Sequence, residues 1–242
     1  MGVKVISERI RSVGIWVGLP IEVWIVAEPD GVTLVDTGLS MMAGAILQEI
    51  DRMNAGPLKR IVLTHGHADH VGGLKRILAQ RPVPVYMHER EIPYAEGDLA
   101  YPGKSQARAH VEKGILQPLP AAPKHGPARI GELDVYFTPG HSPGHVVYWH
   151  GADKVLLAGD LFNAKRGRLI PPRFTPDPEL ALQSAGVLRD FDPERMQVCH
   201  GGTVYRPAGQ LDDLEREAEA SRLAQARLQE MRDKRNSKKS RR

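Results

Sequence analysis

Residues 60–73 read Arg-Ile-Val-Leu-Thr-His-Gly-His-Ala-Asp-His-Val-Gly-Gly, an apolar strand pattern over 60–64 that runs into His65, His67, Asp69 and His70. Packing does not account for four potential ligands within six residues. A lone histidine is usually a surface or hydrogen-bonded residue, whereas clustered imidazole nitrogen and carboxylate oxygen are ordinary ligands for zinc, iron and manganese. Gly66 and Ala68 leave room for the backbone to curl, so that ligands one residue apart can converge. Helical periodicity follows over 71–80, which puts the motif at a strand-to-helix turn.

The same arrangement recurs downstream. His141 in Thr138-Pro139-Gly140-His141 follows a strand pattern at 133–138, Asp160 follows one at 154–158, and His200 follows one at 196–199. Upstream, Asp36 in Val35-Asp36-Thr37-Gly38 ends a strand pattern at 32–35. The turn Glu28-Pro29-Asp30-Gly31 joins that pattern to another at 21–27, and a further strand is expected at 13–17. Strands at 83–87 and 146–149 and helices at 41–53 and 178–189 complete an order that suits a layered α/β fold, with the candidate ligands at one rim of the sheet. Segments 97–131 and 163–178 lack clear periodicity and are expected to border a substrate cleft.

This ordered set, Asp36, then His65, His67, Asp69 and His70, then His141, Asp160 and His200, resembles the metallo-β-lactamase-fold hydrolases over about residues 13–200. The resemblance implies a four-layer αβ/βα sandwich with the metal site at one edge of the two sheets. It also implies two divalent metal ions per chain, zinc by default, with iron or manganese as alternatives. By similarity, His65, His67 and His141 hold one ion, Asp69, His70 and His200 hold the other, Asp160 bridges both, and Asp36 braces the ligand loop. A bridging water deprotonated near neutral pH is then the expected nucleophile, oriented by Asp69, so that the catalytic roles fall on Asp69 and Asp160.

The motifs T-H-G-H-A-D-H-V-G-G and T-P-G-H-S-P-G-H look like the subgroup of glyoxalase II enzymes and acyl-homoserine lactonases, which implies an ester, thioester or lactone substrate. Two departures limit what is carried over: the ending C-H-G-G-T-V-Y differs from that of glyoxalase II, and Asn163 stands where many lactonases have tyrosine. Three alternatives stay open: a mononuclear iron sulfur dioxygenase-like oxidoreductase, a phosphodiesterase or nuclease, and a metal-binding module without turnover.

Composition narrows the classes. With 242 residues, 41% hydrophobic and 26% charged, the chain can build a sizeable core in one domain without covalent staples, and its single Cys199 cannot form an intramolecular disulfide. The first residues lack the apolar run of a signal peptide, and no stretch approaches the roughly 20 apolar residues that span a bilayer. A cytoplasmic protein acting on a small molecule, with no membrane partner, is expected. A catalytic domain over 1–210 precedes a C-terminal helix and basic tail over 211–242. Residues 234–242 carry six bases and no acid, and the net charge of +4 without those six is −2, so the basicity belongs to a solvated tail and a nucleic-acid partner is not expected.

Other polar residues have competing readings. Asn163, Lys165, Arg166, Arg168 and Arg173 follow Asp160 closely and are candidates for binding an anionic substrate, although such bases commonly form a solvated face. His145 is placed outside the metal ligands as a turn histidine. His88 either faces the cleft or caps the next helix, and Cys199 is expected to be a small buried hydrophobe.

Overall fold

Strands β1 (Gly2–Val5), β2 (Ile10–Trp16), β3 (Pro20–Glu28) and β4 (Gly31–Val35) form an antiparallel meander in the computed structural model, which describes residues 1–171 and 174–239. Ile21, Val23, Trp24, Ile25 and Val26 of β3 are all buried, as expected of a β-branched run covered on both faces. The chain continues through α1 (Ala43–Met53), β5 (Leu58–Val62), α2 (Ala68–Val71), α3 (Leu74–Leu78), β6 (Val85–Met87), α4 (Ile92–Ala95) and β7 (Leu116–Pro118). The seven strands pair in sequence order, with β4, β5, β6 and β7 parallel. Helix α1 buries Ala43, Ile46, Leu47 and Ile50, an i, i+3, i+4, i+7 stripe, and stops at Asn54, whose left-handed φ of 48° ends the helix. Burial of Ile46 stabilises this contact by about 1.5–3 kcal/mol, and a charge there would unseat the helix.

The second half runs through β8 (Ala128–Ile130), β9 (Leu133–Phe137), β10 (Val146–His150), β11 (Val155–Leu157), a separate hairpin of β12 (Asn163–Lys165) and β13 (Arg168–Ile170), α5 (Pro178–Ser184), α6 (Leu188–Phe191), β14 (Arg195–Val198), β15 (Gly202–Tyr205) and α7 (Ala208–Lys239). Its main sheet has the order β15-β14-β11-β10-β9-β8. Period-two alternation builds the layers. Val146, Tyr148, Val155 and Leu157 enter the core shared with the first sheet, whereas Val147, Trp149 and Leu156 face a second core with Leu188, Leu211 and Leu214. The result is the four-layer sandwich, helices on sheet on sheet on helices. Bonds cross between the two halves, among them Tyr148 Oη donating to the Leu63 carbonyl at 2.8 Å and Val146 N–H donating to the Thr64 carbonyl at 2.9 Å.

Several local expectations are corrected. The helix expected at 71–80 is divided at Gly72 and Gly73, because the chain there presses against the Thr37 turn; a Cβ on Gly73 would lie 2.4 Å from the Thr37 carbonyl oxygen. The helix expected at 178–189 is likewise divided into α5 and α6. Segment 97–131 contains β7 and β8, and 163–178 contains the β12–β13 hairpin, turned by Arg166 and Gly167 at φ 54° and 74°. Helix α7 continues to Lys239, through bases expected to follow the helix as a solvated tail.

Candidate metal centre

Topology gathers the site. Parallel pairing sets Val35 of β4 beside Val62 of β5, so Asp36 and the His65–His70 turn leave the first sheet at the same edge. In the second sheet β10 begins just after the His141–His145 turn and runs antiparallel to β11, whose end leads to Asp160. Strand β14, parallel to β11, ends beside it and leads to His200. Side chains far apart in sequence therefore meet at one rim.

Two clusters share one carboxylate. His65 Nε2 and His141 Nε2 each lie 3.0 Å from His67 Nδ1. Across the rim, His200 Nε2 is 3.2 Å from Asp69 Oδ2, and His70 Nε2 is 3.9 Å from the same atom. Asp160 stands between them: Oδ2 is 3.4 Å from His141 Nε2 and 3.3 Å from His200 Nε2, while Oδ1 is 3.4 Å from His70 Nε2. A tetrahedral ion with bonds of about 2.1 Å sets its ligand atoms about 3.4 Å apart, so these separations suit shared cations. The groups His65–His67–His141, His65–His70–Asp160 and Asp69–His70–Cys199–His200 each bring their donor atoms within 4.8 Å of one another. Among the described residues, His70 Nε2 and Asp160 Oδ1 are buried without a hydrogen-bond partner. Such orphaned atoms are costly unless a ligand satisfies them, so the residues present fit a metal.

The proton states of the ligands divide, since burial lowers some of the histidines while the negative groups packed against His70 and His200 raise those two. Burial holds His65 well below the ordinary histidine range and, with His141 adding to it, lowers His67 to about 3, which leaves neutral imidazoles with free lone pairs. Burial would raise Asp160, but the nearby His70 and hydrogen bonding to His200 hold its carboxyl well below the usual range. Burial also opposes ionisation of Asp69, and its bond to His200 overcomes this, lowering it to about 2.

The surrounding residues fix each ligand. Asp36 accepts Thr64 N–H and Thr64 Oγ1, both at 2.8 Å, and faces His70 Nδ1. His200 Nδ1 donates to the Pro20 carbonyl at 2.7 Å, and His141 Nδ1 bonds Thr175 Oγ1 at 3.1 Å. Both nitrogens of His145 are taken by protein: Nε2 accepts Asp160 N–H at 3.2 Å and Nδ1 bonds Thr138 Oγ1 at 2.9 Å. Gly66 is required by packing, since a Cβ there would lie 2.4 Å from Tyr101 Oη and 2.6 Å from Ala95 Cβ.

Sequence reasoning missed Glu91. Its buried carboxylate accepts Gly66 N–H at 3.0 Å and Tyr101 Oη at 2.8 Å on Oε1, and Ser142 Oγ at 2.9 Å and Gly144 N–H at 2.6 Å on Oε2. It thus ties the His65–His67 turn to the His141 loop. Burial raises its pKa, and the donors oppose that rise. No spacing in Glu89-Arg90-Glu91 separates this residue from a surface acid.

Other candidates lie elsewhere. Lys165, Arg166 and Arg168 are exposed on the β12–β13 hairpin, which Gln210 holds against α7 through Leu169 N–H and the Gly167 carbonyl. Asn163 is buried at the hairpin base, where its neighbour Ala164 donates N–H to the His200 carbonyl at 2.9 Å. Arg173 falls outside the described residues. His88 stacks on Phe137 with ring centroids 4.5 Å apart, and its Nδ1 accepts Arg90 N–H, a turn-capping arrangement. Cys199 is buried beside the second cluster.

Residues 16–200 match the model of the metallo-beta-lactamase superfamily. The chain belongs to the metallo-β-lactamase superfamily. Within this superfamily it is 37% identical over 189 residues, 77% of this chain and 83% of the relative, to probable metallo-hydrolase YybB of Bacillus subtilis (strain 168). It is 32% identical over 151 residues to hydroxyacylglutathione hydrolase of Hahella chejuensis (strain KCTC 2396), covering 59% of this chain and 47% of that enzyme. The solved structure of TTHA1623 in a di-iron-bound form matches with TM-score 0.58 and 28% identity, covering 80% of this chain and 93% of that one. A beta-lactamase domain protein from Burkholderia ambifaria shares the fold, with TM-score 0.67 at 20% identity over 90% of this chain and 76% of that one. A metal-dependent hydrolase acting on a small molecule is the activity class that superfamily membership and these relatives support. Among the described residues no helix is long and apolar enough to cross a membrane.

Proposed function

We propose that this chain is a dinuclear metal-dependent hydrolase that cleaves an ester, thioester or lactone. The observation that carries the reading is the place of Asp160, within 3.4 Å of ring nitrogens from both histidine clusters. His65, His67 and His141 would hold one ion and Asp69, His70 and His200 the other, with Asp160 shared. Similarity to a protein solved in a di-iron-bound form supports two ions, and the donors suit zinc as the default with iron or manganese as alternatives.

Two such ions would draw the pKa of a water between them toward neutrality and polarise the scissile carbonyl. The chain's own residues do the positioning. Asp69, ionised near neutral pH and with its side chain 31% exposed, can accept a hydrogen bond from water in the cleft and orient it. Asp36 and His145 hold His70 and Asp160 in place, and no serine or cysteine nucleophile is required. Similarity to hydroxyacylglutathione hydrolase favours a thioester within this class. We assign the chemistry to residues 1–210, regard 211–242 as a C-terminal helix and basic tail whose Leu211 and Leu214 pack into the second core, and place the protein in the cytoplasm.

The test is turnover by metal-loaded protein of phenyl acetate, a hydroxyacyl glutathione thioester, a γ-lactone and bis(4-nitrophenyl) phosphate. The expected result is hydrolysis of at least one carboxylic substrate, abolished in Asp160→Ala. Turnover of the phosphodiester alone, or oxygen uptake with a persulfide by a single-iron form, would overturn the assignment.

A further inference from the structure

We propose that the cavity beside His67 binds an anionic group of the substrate, a carboxylate or a phosphate, through Lys104 and Arg108; this deepens the hydrolase reading above and rests on it. The cavity, about 520 Å³, opens on His67 and Ala68 of the ligand turn and is lined further by Tyr101, Lys104, Arg108 and Phe174. Among the described residues no carboxylate lines it.

The cations are delivered by a loop anchored to the metal centre at both ends. Tyr101 Oη donates to Glu91 Oε1 at 2.8 Å, and His110 Nδ1 donates to the Gly66 carbonyl at 2.8 Å, so both anchors meet the His65–His67 turn. Residues 102–109 between them are exposed. Among the described residues, neither the Lys104 nor the Arg108 side chain has an ion pair or hydrogen bond, whereas Lys113, further along the chain, is taken up by Asp98 at 2.6 Å. Two unpaired cations held at the rim of a concave site leave a positive field that an anion can neutralise.

Part of the lining is apolar. Phe174 is 93% exposed and has a φ of 58°, a left-handed conformation rarely adopted by a bulky residue, and Pro102 and Pro176 stand with it. A ligand with a short apolar body and an anionic end matches both kinds of lining, and a neutral one of equal length matches only the apolar part.

The test is calorimetric titration of the metal-loaded full chain with hexanoate, hexyl phosphate and 1-hexanol. Both anions, or one of them, should bind at least about tenfold more tightly than the alcohol, and the better anion identifies the group. The Lys104→Ala/Arg108→Ala double variant, and independently Lys104→Gln/Arg108→Gln, should weaken that anion by at least about tenfold at unchanged metal content. Anion binding equal to wild type in the double variants, the result if anions bound only on the metal ions, would overturn the proposal, as would equal affinity for the alcohol. Failure of the hydrolase reading shows differently, as absent turnover of the ester, thioester and lactone by a protein that still discriminates the anions.

Discussion

Asp36 Oδ2 lies 2.8 Å from His70 Nδ1, with both side chains fully buried. The same carboxylate caps Thr64 at the entrance to the ligand turn, and Asp36 holds a left-handed φ of 60° to do so. The contact places the His70 proton on Nδ1 and leaves Nε2 for a metal ion. Asp36→Asn puts an amide group where a carboxylate accepted three bonds. It should weaken metal retention by roughly 10–100-fold in a chelator competition, and unchanged retention would show that the ring is fixed by something else.

Glu91→Gln tests the tie between the two ligand loops. Glutamine offers one acceptor oxygen where the carboxylate offers two, so the donors of one loop, Gly66 and Tyr101 or Ser142 and Gly144, lose their acceptor. A cost of about 1–3 kcal/mol follows, or very roughly 2–12 °C in Tm for a domain of this size. Calorimetry of metal-free protein reads that loss directly. A Tm equal to wild type would reduce Glu91 to a bystander.

His145→Leu removes the acceptor of Asp160 N–H from a site that water cannot reach. The orphaned amide costs about 1–3 kcal/mol and lets the shared carboxylate drift. Bound metal per chain should fall, as read by elemental analysis. Wild-type metal content together with wild-type stability would contradict this role.

Asp153 supplies a prediction away from the metals. Burial would raise its pKa, but Ser7 Oγ at 2.5 Å and the Arg9 N–H at 3.2 Å hold it below the usual value. A carboxyl depressed in the folded state contributes stability above its unfolded pKa of about 3.9 and loses that contribution as pH falls through the folded value. Asp153→Asn should therefore lower Tm at pH 7, with the deficit shrinking below about pH 4. A deficit independent of pH would point to packing.

Much of the site was legible because its chemistry is written in adjacent letters. His65, His67, Asp69 and His70 share one turn, and His141, Asp160 and His200 each follow a recognisable strand. Strands β1, β7, β8 and β15 are three or four residues long, too short for alternation to register, and Arg166 at positive φ is an uncommon turn residue. Glu91, Lys104 and Arg108 could not be read at all. Their placement comes from contacts across the fold, such as Tyr101 to Glu91 and His110 to Gly66, which no local pattern encodes. The bases that local reading offered as candidates, Lys165, Arg166 and Arg168, lie on a hairpin facing α7.

The central claim is that Asp160 is shared by two metal ions, and metal stoichiometry tests it most directly. Elemental analysis of purified wild-type, His65→Ala and Asp160→Ala proteins should give about two ions per chain for the wild type, a reduced count when His65 is lost, and loss at both positions when Asp160 is lost. A wild-type protein that binds no metal, or an Asp160→Ala variant that keeps two ions, would contradict the account.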